Sequence, residues 1–258
     1  YVRLDARWNQ LSMVGGVRYE RTSTSGSAPR FDAATQTAVE QTVERDYVKI
    51  LPSLHFRHEF SPESILRWSW STGISRPNFT DTVPRLVVSD DERSLVAGNP
   101  SLRATYANNF DISYERYLRP LGLVSIAAFH KRLDDPIFVA NSTVSGGGFD
   151  GARITRPENG ARGRIQGVEL AWQQTFDFLP APFDGFGVYT NYTWTDSSAE
   201  LPFGIGRTDL PGTSRDNINL AVFYEKHGLN ARLAWNYRSK YIQEFDVGDR
   251  DFNVFWDE

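Results

Sequence analysis

Long stretches of this chain alternate apolar and polar side chains at a period of two, and the segment from Arg215 to Tyr241 shows this best. Its apolar positions are Ile218, Leu220, Val222, Tyr224, Leu229, Ala231, Leu233, Trp235 and Tyr237. Lys226-His227-Gly228 interrupts the alternation as a tight turn. Because successive side chains of a strand point to opposite faces, the pattern predicts two strands with one apolar and one polar face. Their length, roughly 10 residues, and the full charges on the polar face fit strands that cross a lipid bilayer.

The same alternation predicts ten strands, joined in turn by short and long connections. The predicted strands are 2–8, 11–22, 46–60, 65–75, 108–118, 123–133, 163–178, 186–195 and the pair within 215–241. Short turns lie near Asn9, Ser61, Arg119, Pro180 and His227, and long loops begin near Ser23, Arg76, Asp134, Asp196 and Gln243. This asymmetry is typical of a barrel with short periplasmic turns and long external loops. We therefore expect an all-β, antiparallel up-and-down meander of about ten long strands. The strand at 123–133 is apolar on both faces, so its inner face stays unassigned.

Composition and motifs exclude several classes of function. The net charge of −4 leaves no basic surface typical of nucleic-acid binding. Without cysteines the chain cannot form disulfides or a thiolate metal site. The four histidines lack the spacing of a zinc site, and no P-loop or nucleophile elbow is present. We expect no catalytic residue, no metal and no cofactor.

The alternation also assigns side chains to faces. The residues expected to face lipid or the aromatic girdle are Val48, Trp68, Tyr114, Trp172, Tyr192, Leu233 and Trp235. The residues expected to line the lumen are Arg67, Glu115, Glu169, Asn219 and Arg232. This assignment is a hypothesis from the pattern, and the opposite assignment would exchange the effects of charge substitutions on the two faces.

The long loops are rich in arginine, asparagine and phenylalanine, which can bind anions and stack on sugars or flat ligands. The candidate ligand-binding residues are Arg76, Asn78, Phe79, Asn99, Arg156, Arg162, Phe203 and Arg207. Acidic residues in the same loops nearly balance the arginines. A network of salt bridges between loops is therefore the alternative interpretation for any single arginine.

Several short motifs, in order along the chain, resemble the barrel region of TonB-dependent outer-membrane receptors. The matching segments are Gly16-Val17-Arg18-Tyr19-Glu20-Arg21-Thr22, Leu51-Pro52-Ser53-Leu54, Ile74-Ser75-Arg76-Pro77-Asn78-Phe79, Gly98-Asn99-Pro100-Ser101-Leu102, Gln166-Gly167-Val168-Glu169-Leu170, Leu210-Pro211-Gly212-Thr213-Ser214 and Tyr237-Arg238-Ser239-Lys240-Tyr241. Together they cover nearly the whole chain.

The resemblance implies a 22-stranded barrel filled by a plug domain, whose TonB box couples to the energy system of the inner membrane. It implies import of a ferric siderophore, cobalamin or an oligosaccharide, captured by external loops and the plug. We find no plug, no TonB box and no final aromatic strand, and expect 1–258 to be part of the barrel of a longer receptor in the outer membrane. Its partners would be outer-membrane lipid, the plug with the TonB system, and a small-molecule ligand, but no nucleic acid. The alternatives are a passive porin-like or adhesin-like barrel and a soluble β-rich carbohydrate-binding protein.

Overall fold

The computed structural model describes residues 1–32, 37–89, 93–204, 206–247 and 252–257. The strands are β1 (Val2–Trp8), β2 (Leu11–Asp32), β3 (Thr37–Ser61), β4 (Ser64–Ser75), β5 (Leu86–Val88), β6 (Ser94–Ala97), β7 (Thr105–Leu118), β8 (Gly122–Asp134), β9 (Ile137–Thr143), β10 (Arg153–Asn159), β11 (Arg162–Thr175), β12 (Phe186–Glu200), β13 (Arg207–Thr208), β14 (Asp216–Lys226), β15 (Leu229–Arg238), β16 (Tyr241–Val247) and β17 (Phe252–Asp257). One α-helical turn, α1, spans Phe79–Thr82, and short 3-10 turns lie at Gly147–Phe149, Phe183–Gly185 and Pro202–Gly204. No helix in the described ranges is long and apolar enough to cross a membrane.

Ten strands form one antiparallel meander in the order β1-β2-β3-β4-β7-β8-β11-β12-β14-β15, and β13 adds to the end of β12. This confirms the predicted fold class. At one end, which we call the turn end, β1 joins β2, β3 joins β4, β7 joins β8, β11 joins β12 and β14 joins β15 through short connections. At the loop end the connections are longer, at 76–104, 135–161 and 201–215. The count of 22 strands stays a prediction.

The strand register gives the sheet two chemically different faces. Because directly paired residues share a face, a single row across the strands shows the character of each face. One row on the apolar face is Phe56, Trp68, Ile112, Ala128, Val168 and Trp194. The adjacent row on the polar face is Arg57, Arg67, Ser113, Ala127, Glu169, Thr193, Asn217 and Arg238.

The register resolves the ambiguous strand at 123–133. Ile126 pairs with Tyr114 on one side and with Leu170 on the other, so Ile126 belongs to the apolar face. Phe129, which pairs with Asp111 and Gly167, belongs to the polar face. A Cβ on Gly167 would lie 2.6 Å from the Phe129 ring. The aromatic ring therefore covers a glycine on the next strand, which explains how an apolar residue is accommodated on the polar face.

The expected loop after Ser23 is wrong. Strands β2 and β3 stay paired out to Asp32 and Thr37, so a long hairpin takes the place of that loop. Ser27 and Thr42, on the face that is apolar elsewhere, are polar, and their hydroxyls lie 2.7 Å apart. Thr24 and Arg45 are polar on the other face. A period of two cannot be recognised where both faces are polar, which is why the pattern ended at Thr22.

The other long connections also hold strands. Strands β5, β6, β10 and β9 form a second, four-stranded sheet, in which β6 and β10 run parallel, and β16 and β17 form a hairpin. A small core lies among these segments, made of Phe138, Ala140, Ala199, Leu201 and Ile242, with Leu210 packed against it. We call β5, β6, β9, β10, β16 and β17, together with the residues of this core, the loop layer. The loop end is thus built of paired strands around their own apolar cluster.

Candidate functional site

The eight residues proposed for ligand binding all lie at the loop end, but the structure does not gather them into one site. Arg76 lines one cavity, and Phe203 and Arg207 line another. Asn99 and Arg156 belong to a hydrogen-bonded network around Glu158. Their role in ligand binding stays a prediction, and the geometry of each location follows.

Arg76 lines a cavity of about 510 Å³ between β2, β3 and the 76–104 connection. Its Nε donates to Thr22 Oγ1 at 2.9 Å, and its guanidinium also pairs with Glu20. Four cationic residues face this cavity: Arg45, Lys49, Arg76 and Arg103. Its three carboxylates are Glu44, Asp46 and Asp135. The lining therefore carries one more positive than negative charge.

Arg103 lines both this cavity and the one near Phe203. Its guanidinium lies 2.6 Å from Asp135 Oδ1, and this hydrogen bond raises the pKa of Arg103 above its usual value. Asn159 holds the surrounding backbone, since its Oδ1 accepts from Arg103 N at 2.8 Å and its Nδ2 donates to Asp135 O at 2.9 Å. Arg103 is thus a fixed cation between the two cavities.

The second cavity, of about 390 Å³, is lined by Phe203 and Arg207. Phe203 has a positive φ of 61° and an exposed ring, whereas Arg207 pairs with Glu200. A non-glycine residue in the left-handed region is uncommon and is held there by its surroundings. The exposed ring and the guanidinium offer a ligand one apolar and one cationic contact.

Asn99 has a structural role. It is only 8% exposed, and its amide donates at 2.9 Å to Pro157 O and to Glu158 Oε2. Its Oδ1 accepts from Ser101 N at 2.9 Å, and Arg156 pairs with the same Glu158. The bonds of Asn99 join the 76–104 connection to β10. Here the loop residues thus form a structural network, the alternative to ligand binding considered for the loop arginines.

We expect Asn99→Ala to destabilise the loop layer by about 1–3 kcal/mol, because two partly buried acceptors and one donor lose their partner. Proteolysis of the intact receptor between residues 86 and 104 should become faster, and the amides of β6 and β10 should exchange sooner. Asn78→Ala is the matched control, since Asn78 is exposed and, within the described part of the chain, its side chain makes only a 3.3 Å contact with Asp81. Equal protection in both variants would contradict the assigned role.

Three proposed residues lie apart from the cavities described above. Asn78 precedes α1, and Phe79, the first residue of that helix, is 58% exposed. Arg162 opens β11 and pairs in register with Asp134. A further cavity, of about 790 Å³, lies between the strand ends and β9 and β10 and is lined by apolar residues such as Leu133, Val139 and Leu210. None of the eight proposed residues lines it.

Sequence reasoning missed Arg45 and Lys49 as lining residues of the Arg76 cavity. Lys49 was expected on the polar face of the strand at 46–60, and Arg45 just before that strand begins. Their signal was present, because Arg45, Tyr47 and Lys49 alternate with Asp46 and Val48. An earlier start of the predicted strand would have placed Arg45 on the same polar face as Tyr47 and Lys49, beside Thr22 and Thr24.

All five residues expected in the lumen share the polar face, and all seven expected to meet lipid share the apolar face. On the polar face Arg67 pairs with Glu115, and Asn219 Nδ2 donates to Asn191 Oδ1 at 2.7 Å. Glu169 and Arg232 are exposed there. Which face meets lipid stays a prediction, which the substitutions in the Discussion test.

Comparison with known proteins gives both a family match and structural neighbours. A model of the family described as TonB dependent receptor-like, beta-barrel matches residues 1–256. The copper transporter OprC superposes with a TM-score of 0.66 at 12% identity, over 95% of this chain and 34% of that chain. The Serratia marcescens hemophore receptor HasR, in complex with its hemophore HasA and heme, gives a TM-score of 0.60 at 16% identity, over 90% and 44%. The alcaligin outer-membrane receptor FauA from Bordetella pertussis gives 0.54 at 16%, over 98% and 37%. The chain therefore spans less than half the length of these structures.

Proposed function

Because the chain belongs to the TonB-dependent receptor-like β-barrel family, we propose that it forms part of the wall of an outer-membrane active transporter that imports a scarce nutrient. The supporting observation is the ten-stranded meander with one apolar and one polar face. Only a closed barrel or a helix satisfies the backbone of a membrane-spanning segment. A barrel wall of this kind presents its apolar face to lipid and its polar face to the lumen.

The depth of the apolar face suits a bilayer. On β7 the apolar face runs from Phe110 to Leu118, interrupted by Arg116 close to the turn end. At a rise of about 3.3 Å per residue and a tilt of about 40°, this run covers about 20 Å of membrane depth. Outer-membrane barrels have an apolar band of about 25 Å. The loop end would then lie outside the cell and the turn end in the periplasm.

The rest of the receptor would complete the barrel and supply the plug and its link to the TonB system. Strands β1 and β15 are the edges of this sheet. Unpaired backbone groups are not tolerated in lipid, so we expect each edge to pair with a further strand in a 22-stranded barrel.

For the ligand we favour an anionic small molecule such as a ferric chelate over a neutral oligosaccharide. The support is the cationic excess of the Arg76 cavity, together with Arg103 between two cavities. The related structures are a hemophore receptor in complex with heme, a copper transporter and an alcaligin receptor.

The test is uptake by cells that carry the intact receptor, with and without a working TonB system. We expect accumulation of ⁵⁵Fe from at least one anionic ferric chelate, abolished without TonB, and no accumulation of neutral oligosaccharides.

Arg76→Gln should weaken binding of that chelate about tenfold, because it removes a charged hydrogen bond to the ligand. Arg119→Gln is the matched control, since Arg119 pairs with Glu63 at the turn end, away from the cavity. Uptake that persists without TonB would favour a passive porin-like barrel, and recovery in the soluble fraction would favour a carbohydrate-binding protein.

A further inference from the structure

Two arginines lie directly opposite each other on the apolar face near its loop end. Arg132 of β8 and Arg164 of β11 are register partners, and both are exposed. Like charges directly opposite each other on neighbouring strands repel and destabilise the sheet. A nearby anion would relieve the repulsion between these two arginines.

The protein supplies only part of the compensating charge. Arg164 lies 3.1 Å from Asp196 Oδ2. Arg132 donates from Nε to His130 Nε2 at 3.3 Å, and among the described residues it has no carboxylate at ion-pair distance. By contrast, Arg57 and Arg67, which are opposed on the polar face, pair with Glu59 and Glu115. Of the two guanidinium groups on the apolar face, only that of Arg164 has a carboxylate partner among the described residues.

The arginine pair sits where the apolar face becomes polar. Going toward the loop end, Ala128 and Val168 belong to the last apolar row on β8 and β11, and His130 and Gln166 form the next row. Arg132 and Arg164 follow in the row after that, beside Asn108 of β7. In a membrane, this level is where hydrocarbon gives way to lipid headgroups.

We propose that Arg132 and Arg164 bind a phosphate group of a phosphorylated glycolipid in the outer leaflet of the membrane. The inference rests on the proposed membrane orientation, with the loop end outside. Guanidinium groups bind phosphate in a two-pronged geometry, and Cα atoms of paired residues lie about 5 Å apart, so both arginines can contact one phosphate. Asn108 flanks the pair and can bond to sugar hydroxyls, while the apolar rows below it pack against the acyl chains.

Lipid retention by the purified intact receptor tests this proposal. The probes are bis-phosphorylated lipid A, enzymatically dephosphorylated lipid A and phosphatidylglycerol, each added to detergent-solubilised receptor and counted by native mass spectrometry. We expect lipid A to be retained, and the other two to be retained far less. Each arginine near a charged lipid surface is worth about a fivefold change in affinity, so Arg132→Gln should lower lipid A retention about fivefold and R132Q/R164Q about 25-fold.

Arg232→Gln is the control variant, because it removes one exposed arginine from the polar face of β15. It should retain lipid A as the wild type does, and every variant should keep the heat-modifiable migration of a folded barrel. Equal lipid A retention by wild type and R132Q/R164Q would overturn the proposal, as would equal retention of dephosphorylated lipid A. Loss of lipid binding in R132Q/R164Q supports the site even where uptake is independent of TonB, an outcome that would overturn the transport proposal alone.

Discussion

Leu170→Arg is expected to lower the free energy of unfolding of the intact barrel in a bilayer by about 2–4 kcal/mol. Leu170 lies in the middle of β11, on the apolar face, between Ile126 and Tyr192. Its side chain is 43% exposed, so space is not the obstacle to an arginine there. The expected cost comes from placing a guanidinium in hydrocarbon. Urea titration of the receptor folded into phospholipid vesicles measures it.

Glu169→Arg provides a matched control with the same new side chain one position away. Glu169 is exposed on the polar face, where it pairs in register with Ala127 and Thr193. An arginine in an aqueous lumen should change the unfolding free energy by no more than about 0.5 kcal/mol. If Glu169→Arg were the more damaging of the two, the lipid and lumen faces would have to be exchanged.

Phe138→Ala is expected to loosen the loop layer by about 3–5 kcal/mol while leaving the barrel folded. Phe138 is 5% exposed and is the largest side chain of the cluster with Ala199, Leu201 and Ile242. Its ring also fills the space beside Gly160, where a Cβ would come within 2.6 Å. The lost contacts join separate connections, so their loss should appear as local opening. Amide hydrogen exchange in β9 and β10 should accelerate about 100-fold or more.

Val139→Ala is the control that separates loss of the apolar cluster from the effect of shortening any side chain on β9. Val139 is 60% exposed on the opposite face of the same strand. Val139→Ala should leave exchange in β9 and β10 within a few-fold of wild type. Similar acceleration by both substitutions would show that the cluster does not hold the loop layer together.

The barrel wall was predictable because each strand carries its own signal. Leu220, Val222, Leu233 and Trp235 alternate with polar residues, and the register pairs Leu220 with Trp235 and Val222 with Leu233 as that pattern requires. The alternation could no longer be recognised where the apolar face of the strands became polar. In the long hairpin Ser27 and Thr42 are polar on one face and Thr24 and Arg45 on the other, so the hairpin could be recognised only from its pairing.

The candidate site was less predictable because its geometry depends on contacts between segments far apart in sequence. Loop arginines such as Arg76 and Arg207 could be identified by composition, but nothing local distinguishes them from Arg156, which is tied to Glu158. The short strand β6 finds its parallel partner β10 in a different connection, about sixty residues later in the chain. Alternation within four residues is too weak to reveal such a pairing.

That parallel pairing has a mechanical consequence. Ser94–Val96 and Arg153–Thr155 lie side by side, with Arg153 N donating to Arg93 O at 2.8 Å, and Ile242 joins the adjoining cluster from beyond β15. The connections at the loop end are therefore joined by backbone pairing and by a shared apolar cluster, so one connection cannot move outward without breaking these contacts. In the orientation proposed above, the loop end surrounds the outer opening of the barrel. Widening that opening would then move these connections as one rigid body or first break the backbone hydrogen bonds between β6 and β10.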